Sequence, residues 1–484
     1  MRGSISSPAV HRPSPPYRLR LGVAIALASL AFPAFASAHG IVGRADLPIP
    51  SWMFAWAATI VMFITFVALF RLWDQPHRRI PFRVVARVPG ALEPLAGAAG
   101  IAIFAIVAYA GLAGSQTFTA NLAPTFVYVI FWVGIPIASA FVGELWKPFN
   151  PWRALARGGA WAMRRAGREP APLLGAYPER VGRWPAAVTI AAFAWLELVY
   201  PGKDDPRLLA VLALLYAVFQ LTGMASYGVE AWTARADGFS VYFSMIATLA
   251  PLRWRGRSLI VRWPLLGARE IQVLPGTAAV LCALIGSTSF DGFSNGDVWV
   301  KIAPRIQEAA GHLGFTVVGG FEVAGTLGLL FWIGFVAALY NLGVWGMARA
   351  VGGDHRILAA QFLHTLVPIA FGYMLAHYIS LLILQGQAIG YLVSDPLGHG
   401  ADYFGTSGFL VNYNLVSFAA IWYIQIAAIL AGHIGGLVLS HERGLTSFRS
   451  TRGMIRAQDW MLVVMVGFTC LALWILSAVT TTTI

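Results

Sequence analysis

Runs of about 20 apolar residues recur along the whole chain, and each is long enough to cross the ~30 Å hydrocarbon core of a bilayer as a helix. Ten fall at about 52–72, 91–112, 124–145, 185–201, 207–227, 272–288, 319–345, 357–384, 413–440 and 459–479. Lipid offers no partner to a backbone N–H or C=O, so a chain of this kind is confined to helices that satisfy themselves. The expectation is an all-α fold, a polytopic transmembrane helix bundle of about ten spans. The fourth run is short, and the eighth and ninth are long enough to tilt. Charged residues make up 11% of the 484 residues and mean hydropathy is +0.68. Soluble proteins carry about 25% charged residues, so this chain lacks the polar side chains to cover a soluble globule.

A shorter apolar run, Leu21–Phe35, follows Arg12, Arg18 and Arg20 and precedes Ala36-Ser37-Ala38. This is the pattern of a secretory signal peptide over residues 1–38, with cleavage leaving His39 at the new N-terminus. Residues 39–484 then form one membrane domain. The basic residues give its orientation. Loops 71–93, 144–184, 228–271, 346–356 and 441–459 hold most of the Arg and Lys, whereas the alternate loops hold little beyond Lys203, Arg207, Lys301 and Arg305. The positive-inside rule makes the basic loops cytoplasmic. Both termini then lie outside, and the expected location is the bacterial inner membrane. A net charge of +13 spread over such loops argues against a nucleic-acid partner. Residues 150–168 mix Trp152, Trp161 and Met163 with arginines, as a basic amphipathic helix on lipid headgroups does. Cys282 and Cys470 lie in apolar runs and form neither a disulfide framework nor a CxxC site. No Walker A loop, HExxH or GxSxG is present.

Ionisable groups at membrane depth are costly and are the natural places to look for function. Glu197, Glu322 and His377 sit near outer span ends, Asp291 lies just beyond one, and His39 begins the mature chain. These five share one level. Carboxylates and imidazoles together are a ligand set for a divalent metal, zinc or copper, that activates water. The expected ligands are His39, Asp291, Glu322 and His377, with Glu197 as acid/base. His364 and His433 lie at similar depth in the eighth and ninth spans. If those helices are neighbours, the two imidazoles can face each other and hold copper or haem iron. Outer segments 289–318, with a surface helix near Val298–Ala310, and 385–412, with Asp395, His399 and Asp402, are long enough to be functional.

The segment His39-Gly40-Ile41-Val42-Gly43-Arg44-Ala45-Asp46-Leu47-Pro48-Ile49-Pro50 resembles one in the bacterial membrane-bound fenitrothion hydrolases, a family of organophosphorus triester hydrolases. Ser287-Thr288-Ser289-Phe290-Asp291-Gly292-Phe293-Ser294 and the loop from Ser394-Asp395-Pro396 to Phe404-Gly405-Thr406 fit the same resemblance. The resemblance implies hydrolysis of the P–O-aryl bond of a lipophilic phosphorothioate, with release of a nitrophenol, and a second membrane subunit. It carries over no catalytic residues. Two other classes stay open. One is a copper- or haem-binding redox protein using His364 and His433. The other is a transporter or a non-catalytic subunit of a membrane complex.

Overall fold

The computed structural model describes residues 51–73, 75–76, 82–448 and 451–478. The expected signal peptide, His39 and the last residues, 479–484, lie outside these. An apolar helix stands at each of the ten expected positions. We number them α1 (Ser51–Leu72), α2 (Leu92–Ala113), α3 (Leu122–Val142), α4 (Trp184–Leu198), α5 (Pro206–Tyr227), α6 (Thr277–Ser294), α7 (Val317–Val351), α8 (His355–Leu392), α9 (Phe418–Ser447) and α10 (Thr451–Ala478). Among the described residues, eight helices are long and apolar enough to cross a membrane, which makes this a multi-pass membrane protein. At 15 residues, α4 reaches only about 22 Å at 1.5 Å per residue.

The packing is that of a membrane bundle, with small residues where backbones approach. A Cβ at Gly372 of α8 would lie 2.6 Å from the Ala428 carbonyl oxygen of α9, and one at Gly432 would lie 2.7 Å from that of Pro368. These two helices are therefore direct neighbours. α3 is wound as a π-helix over Thr125–Gly134, a rare winding that concentrates at functional sites. It buries Tyr128 and Trp132 against the next layer.

Two features depart from the expected pattern, both at the arginine-rich end. Loops 71–93 and 228–271 contribute a small antiparallel sheet, β1 (Phe82–Arg87), β2 (Leu252–Arg255) and β3 (Ser258–Arg262), in the order β1-β3-β2. The hairpin turns at Gly256-Arg257, where Gly256 takes φ +59°, the left-handed conformation that two-residue hairpins demand. The bundle is thus almost entirely, rather than wholly, helical. The second departure is the helix Gly238–Ala247, which is buried along nearly its whole length. It lies inside a segment expected as a surface loop. Ten residues are too few to register as a span, yet this helix carries the large buried side chains Tyr242 and Phe243.

The basic surface helix is present as Pro151–Arg165, with Asn150 capping the Arg153 N–H and Pro151 at its first position. Trp161 and Met163 are exposed, and the Arg165 guanidinium stacks over the Trp161 ring. Arg153 is not a headgroup anchor. It is buried, and it bonds Glu93 at 2.9 Å and Glu230 at 2.8 Å.

Candidate functional site at the arginine-poor end

α6 begins beside Arg183 and ends 18 residues later at the opposite end of the bundle. The expected sixth span stops at 288, but the helix runs on through Ser294, so Asp291 sits in its last turn and not in a loop. Hydroxyls at Ser287, Thr288 and Ser289 return to carbonyls three or four residues back. That satisfies them internally and lets a polar stretch stay helical.

α8 packs against α6 and brings two adjacent side chains to Asp291. His377 Nε2 lies 2.7 Å from Asp291 Oδ2, and the Tyr378 hydroxyl donates to the same oxygen at 3.1 Å. The imidazole and phenol rings meet edge to face, with centroids 4.7 Å apart. The remaining imidazole nitrogen, Nδ1, looks toward Gly292. A Cβ there would sit 3.8 Å from Nδ1 and would collide with Ile475 at 2.7 Å, so only glycine leaves this space open.

α4 brings Glu197 to the same cluster. Its carboxylate is within electrostatic reach of Asp291 and Lys203, beside the side chains of Tyr378 and Trp132. Glu197 is 8% exposed, whereas the side chains of Asp291 and His377 are 19% and 23% exposed. The pair therefore keeps an opening to the surroundings that the glutamate lacks. Glu197 Oε2 and Trp132 Nε1 are both buried with no hydrogen-bond partner among the described residues. Buried polar atoms are almost always paired, so each exception asks for an explanation. The Tyr128 hydroxyl donates to the Lys203 carbonyl at 2.9 Å and ties the α4–α5 turn to α3.

Three of the expected site residues, Glu197, Asp291 and His377, thus come together. Glu322 does not join them. It lies on the first turns of α7, where its carbonyl accepts from Thr326. Among the described residues, no three His, Cys, Asp or Glu side chains are grouped to hold a metal ion. Asp291 and His377 bond each other, so the described donors form a pair rather than a coordination shell. His39, the remaining expected ligand, is outside the described residues.

His364 and His433 do not face each other although their helices touch. His433 is fully buried, bonds the Ile429 carbonyl through Nδ1 at 2.9 Å, and packs on Tyr373 and on Phe468 of α10. His364 lies instead toward Arg443 and Arg269. Each leaves Nε2 without a partner among the described residues. Contact between α8 and α9 runs through Gly372 and Gly432, and that seam turns the two imidazoles to different neighbours.

In the loop after α8 the carboxylates are committed to the loop itself. Asp395 accepts the backbone N–H groups of His399 and Gly400, and Asp402 accepts the Ser394 hydroxyl at 2.6 Å and the Ser407 N–H. The Ser394 hydroxyl bond holds the Asp402 carboxyl below its ordinary range.

Sequence reasoning missed Tyr378 and Trp132. Tyr378 follows His377 directly, and neighbours in sequence point about 100° apart on a helix, so adjacency gave no sign of a shared partner. The position of Trp132 depends on the π winding of α3. No protein-family model, no curated protein and no solved structure matches the chain.

Proposed function

We propose that this chain is an inner-membrane hydrolase of neutral, lipophilic organophosphorus triesters, working through Asp291, His377, Tyr378 and Glu197 at its outer end. One observation carries the reading: a His–Asp pair with partial access, beside a buried carboxylate whose Oε2 is unpaired. An imidazole held by a carboxylate is a general base that sits in one orientation. In this reaction His377 takes a proton from water as the water oxygen attacks phosphorus. Asp291, itself held by the Tyr378 hydroxyl, fixes the imidazole and balances the charge it gains. The P–O-aryl bond breaks, the aryloxide leaves, and the proton held on His377 passes to it or to solvent. Glu197, with the Trp132 and Tyr378 side chains turned toward it, adds a buried carboxylate to the polar side of the cluster. Aryl triesters partition into lipid and their products are charged, so a site at this level suits both entry from the bilayer and release to water. The fenitrothion hydrolase resemblance supports the choice of substrate class.

The test is nitrophenol release from fenitrothion by membranes carrying the chain. Removal of a positioned general base costs about 10²–10⁴-fold, and His377→Gln is expected to lose turnover on that scale while membrane insertion is unchanged. Wild-type turnover in His377→Gln would sink this reading. Chelation adds a second arm. Loss that one divalent ion restores means a third ligand from outside the described residues, with His39 the first to substitute. Silence of the chain alone, relieved by co-expression of a companion membrane protein, would identify the second subunit.

A further inference from the structure

A cavity of about 270 Å³ lies at the arginine-rich end, bounded by the inner ends of α3 and α4, the buried helix Gly238–Ala247 and the sheet. Its wall carries four basic side chains, Lys147, Arg183, Arg253 and Arg262, and three acidic ones. The acids are largely spoken for. Glu270 pairs with Arg253 and lies 3.6 Å from Arg262. Glu230 pairs with Arg153 at 2.8 Å and more loosely with Lys147 at 3.9 Å. Glu144 lies within reach of Arg262.

Arg262 is a built part of the wall. It is 6% exposed, and its guanidinium donates to the carbonyls of Ala247, Thr248 and Ala250, where the buried helix ends. Arg183 is different. Its Nη1 donates only to neutral acceptors, the Gln272 carbonyl at 2.8 Å and the Thr277 hydroxyl at 3.2 Å. Its Nε is buried with no partner among the described residues. Burial draws the Arg183 and Arg262 guanidinium groups down to about 10, so both are charged near neutrality. A half-buried guanidinium with a vacant, buried N–H and no carboxylate paired to it among the described residues calls for an anionic oxygen. Ser244 adds a hydroxyl to the same wall, while Val241, Met245 and Ile271 give it an apolar side.

We infer that this cavity is a binding site for a glycerophosphate group, with the phosphate oxygens on Arg183 and Lys147 at the rim and the carbon portion against the apolar wall. Two sources share that chemistry, the headgroup of a phospholipid in the adjacent leaflet and a soluble phosphate ester. The site is independent of the hydrolase reading, because it shares no residue with the Asp291–His377 cluster.

The experiment uses the full-length protein purified in detergent, with binding of glycerol 3-phosphate and of dihexanoyl-phosphatidylglycerol followed by calorimetric titration. At least one probe is expected to bind. Arg183→Gln is expected to weaken binding at least about tenfold, as loss of a charge-assisted contact does, and Arg183→Lys to recover part of it. Ser244→Leu keeps Arg183 but fills the space, and it is expected to weaken binding equally. It carries the test if Arg183→Gln does not fold. Arg165→Gln, on the exposed surface helix, is the control and should bind as wild type does. Binding of both probes identifies a soluble ester as sufficient, and binding of the lipid alone identifies the headgroup. Failure of wild type to bind either probe, or wild-type affinity in both Arg183→Gln and Ser244→Leu, overturns the inference.

Discussion

Two carboxylate centres stand at opposite ends of this bundle, and their hydrogen bonding differs. At the arginine-rich end Asp237 is fully buried and accepts five hydrogen bonds, from Asn150, Trp152, Tyr216 and both the N–H and hydroxyl of Ser240. Those donors come from three separate stretches of chain, so this carboxylate ties together the surface helix, α5 and the buried helix it caps. At the other end Asp291 has two donors, and neighbouring Glu197 has an Oε2 with none among the described residues. A saturated carboxylate holds structure and has no lone pair left for a ligand. An unsaturated one beside a histidine retains capacity for protons, water or substrate. Exposure points the same way, since Asp237 is fully buried and the Asp291 side chain is not, and the satisfaction of each oxygen sharpens the difference.

This contrast predicts that substitutions at the two ends fail in opposite ways. The largest effect belongs to the arginine-poor end. Asp291→Asn should keep the fold and lower turnover about 10²–10⁴-fold, since the imidazole loses its charge partner. Paired readings of nitrophenol release and thermal unfolding check this. A melting temperature that collapses together with turnover would erase the distinction between the ends. Next is Asp237→Ala. It leaves several buried donors unpaired, and breaking a buried polar centre costs about 3–5 kcal/mol. It should therefore appear as a lower melting temperature and reduced yield, with normal turnover in the protein that does fold. Third, Gly292→Ala drives a methyl into Ile475 and crowds the His377 ring. Overpacking of this kind costs about 1–3 kcal/mol, and here part of the loss should show in turnover. The smallest expected effect on the fold is that of Tyr378→Phe. One hydrogen bond to a charged group is worth about 1.5–3 kcal/mol, while His377 still holds Asp291. A drop of about tenfold in turnover with little change in melting is expected, and an unchanged rate would remove Tyr378 from the site.

The same two centres show what the sequence discloses. Glu197, Asp291 and His377 stand out because they are ionisable groups in or at the ends of apolar runs, and distance along a run gives depth. Depth is legible because each residue advances 1.5 Å. Azimuth is not, because it is decided by which helices meet. Glu322 has the right depth and packs elsewhere. His364 and His433 sit on touching helices and turn apart, because the Gly372–Gly432 contact sets the rotation of both. Asp237 was hidden for another reason. It precedes a largely apolar stretch of ten residues, too short to read as a span, so its segment reads as a loop. In retrospect Asp237-Gly238 ahead of Phe239–Ala247 has the form of a capped helix start. The sheet is equally inconspicuous, since its strands are four to six residues long and rich in arginines, which read as membrane-surface residues.

We assign the chemistry to the arginine-poor cluster and the holding of the fold to the arginine-rich carboxylate, a division of labour between the two ends. Its most direct test is the turnover of fenitrothion per folded molecule in membranes, comparing wild type with His377→Gln at equal amounts of inserted protein. A fall of at least about 100-fold with no loss of folded protein is expected. Equal turnover in the two would contradict it.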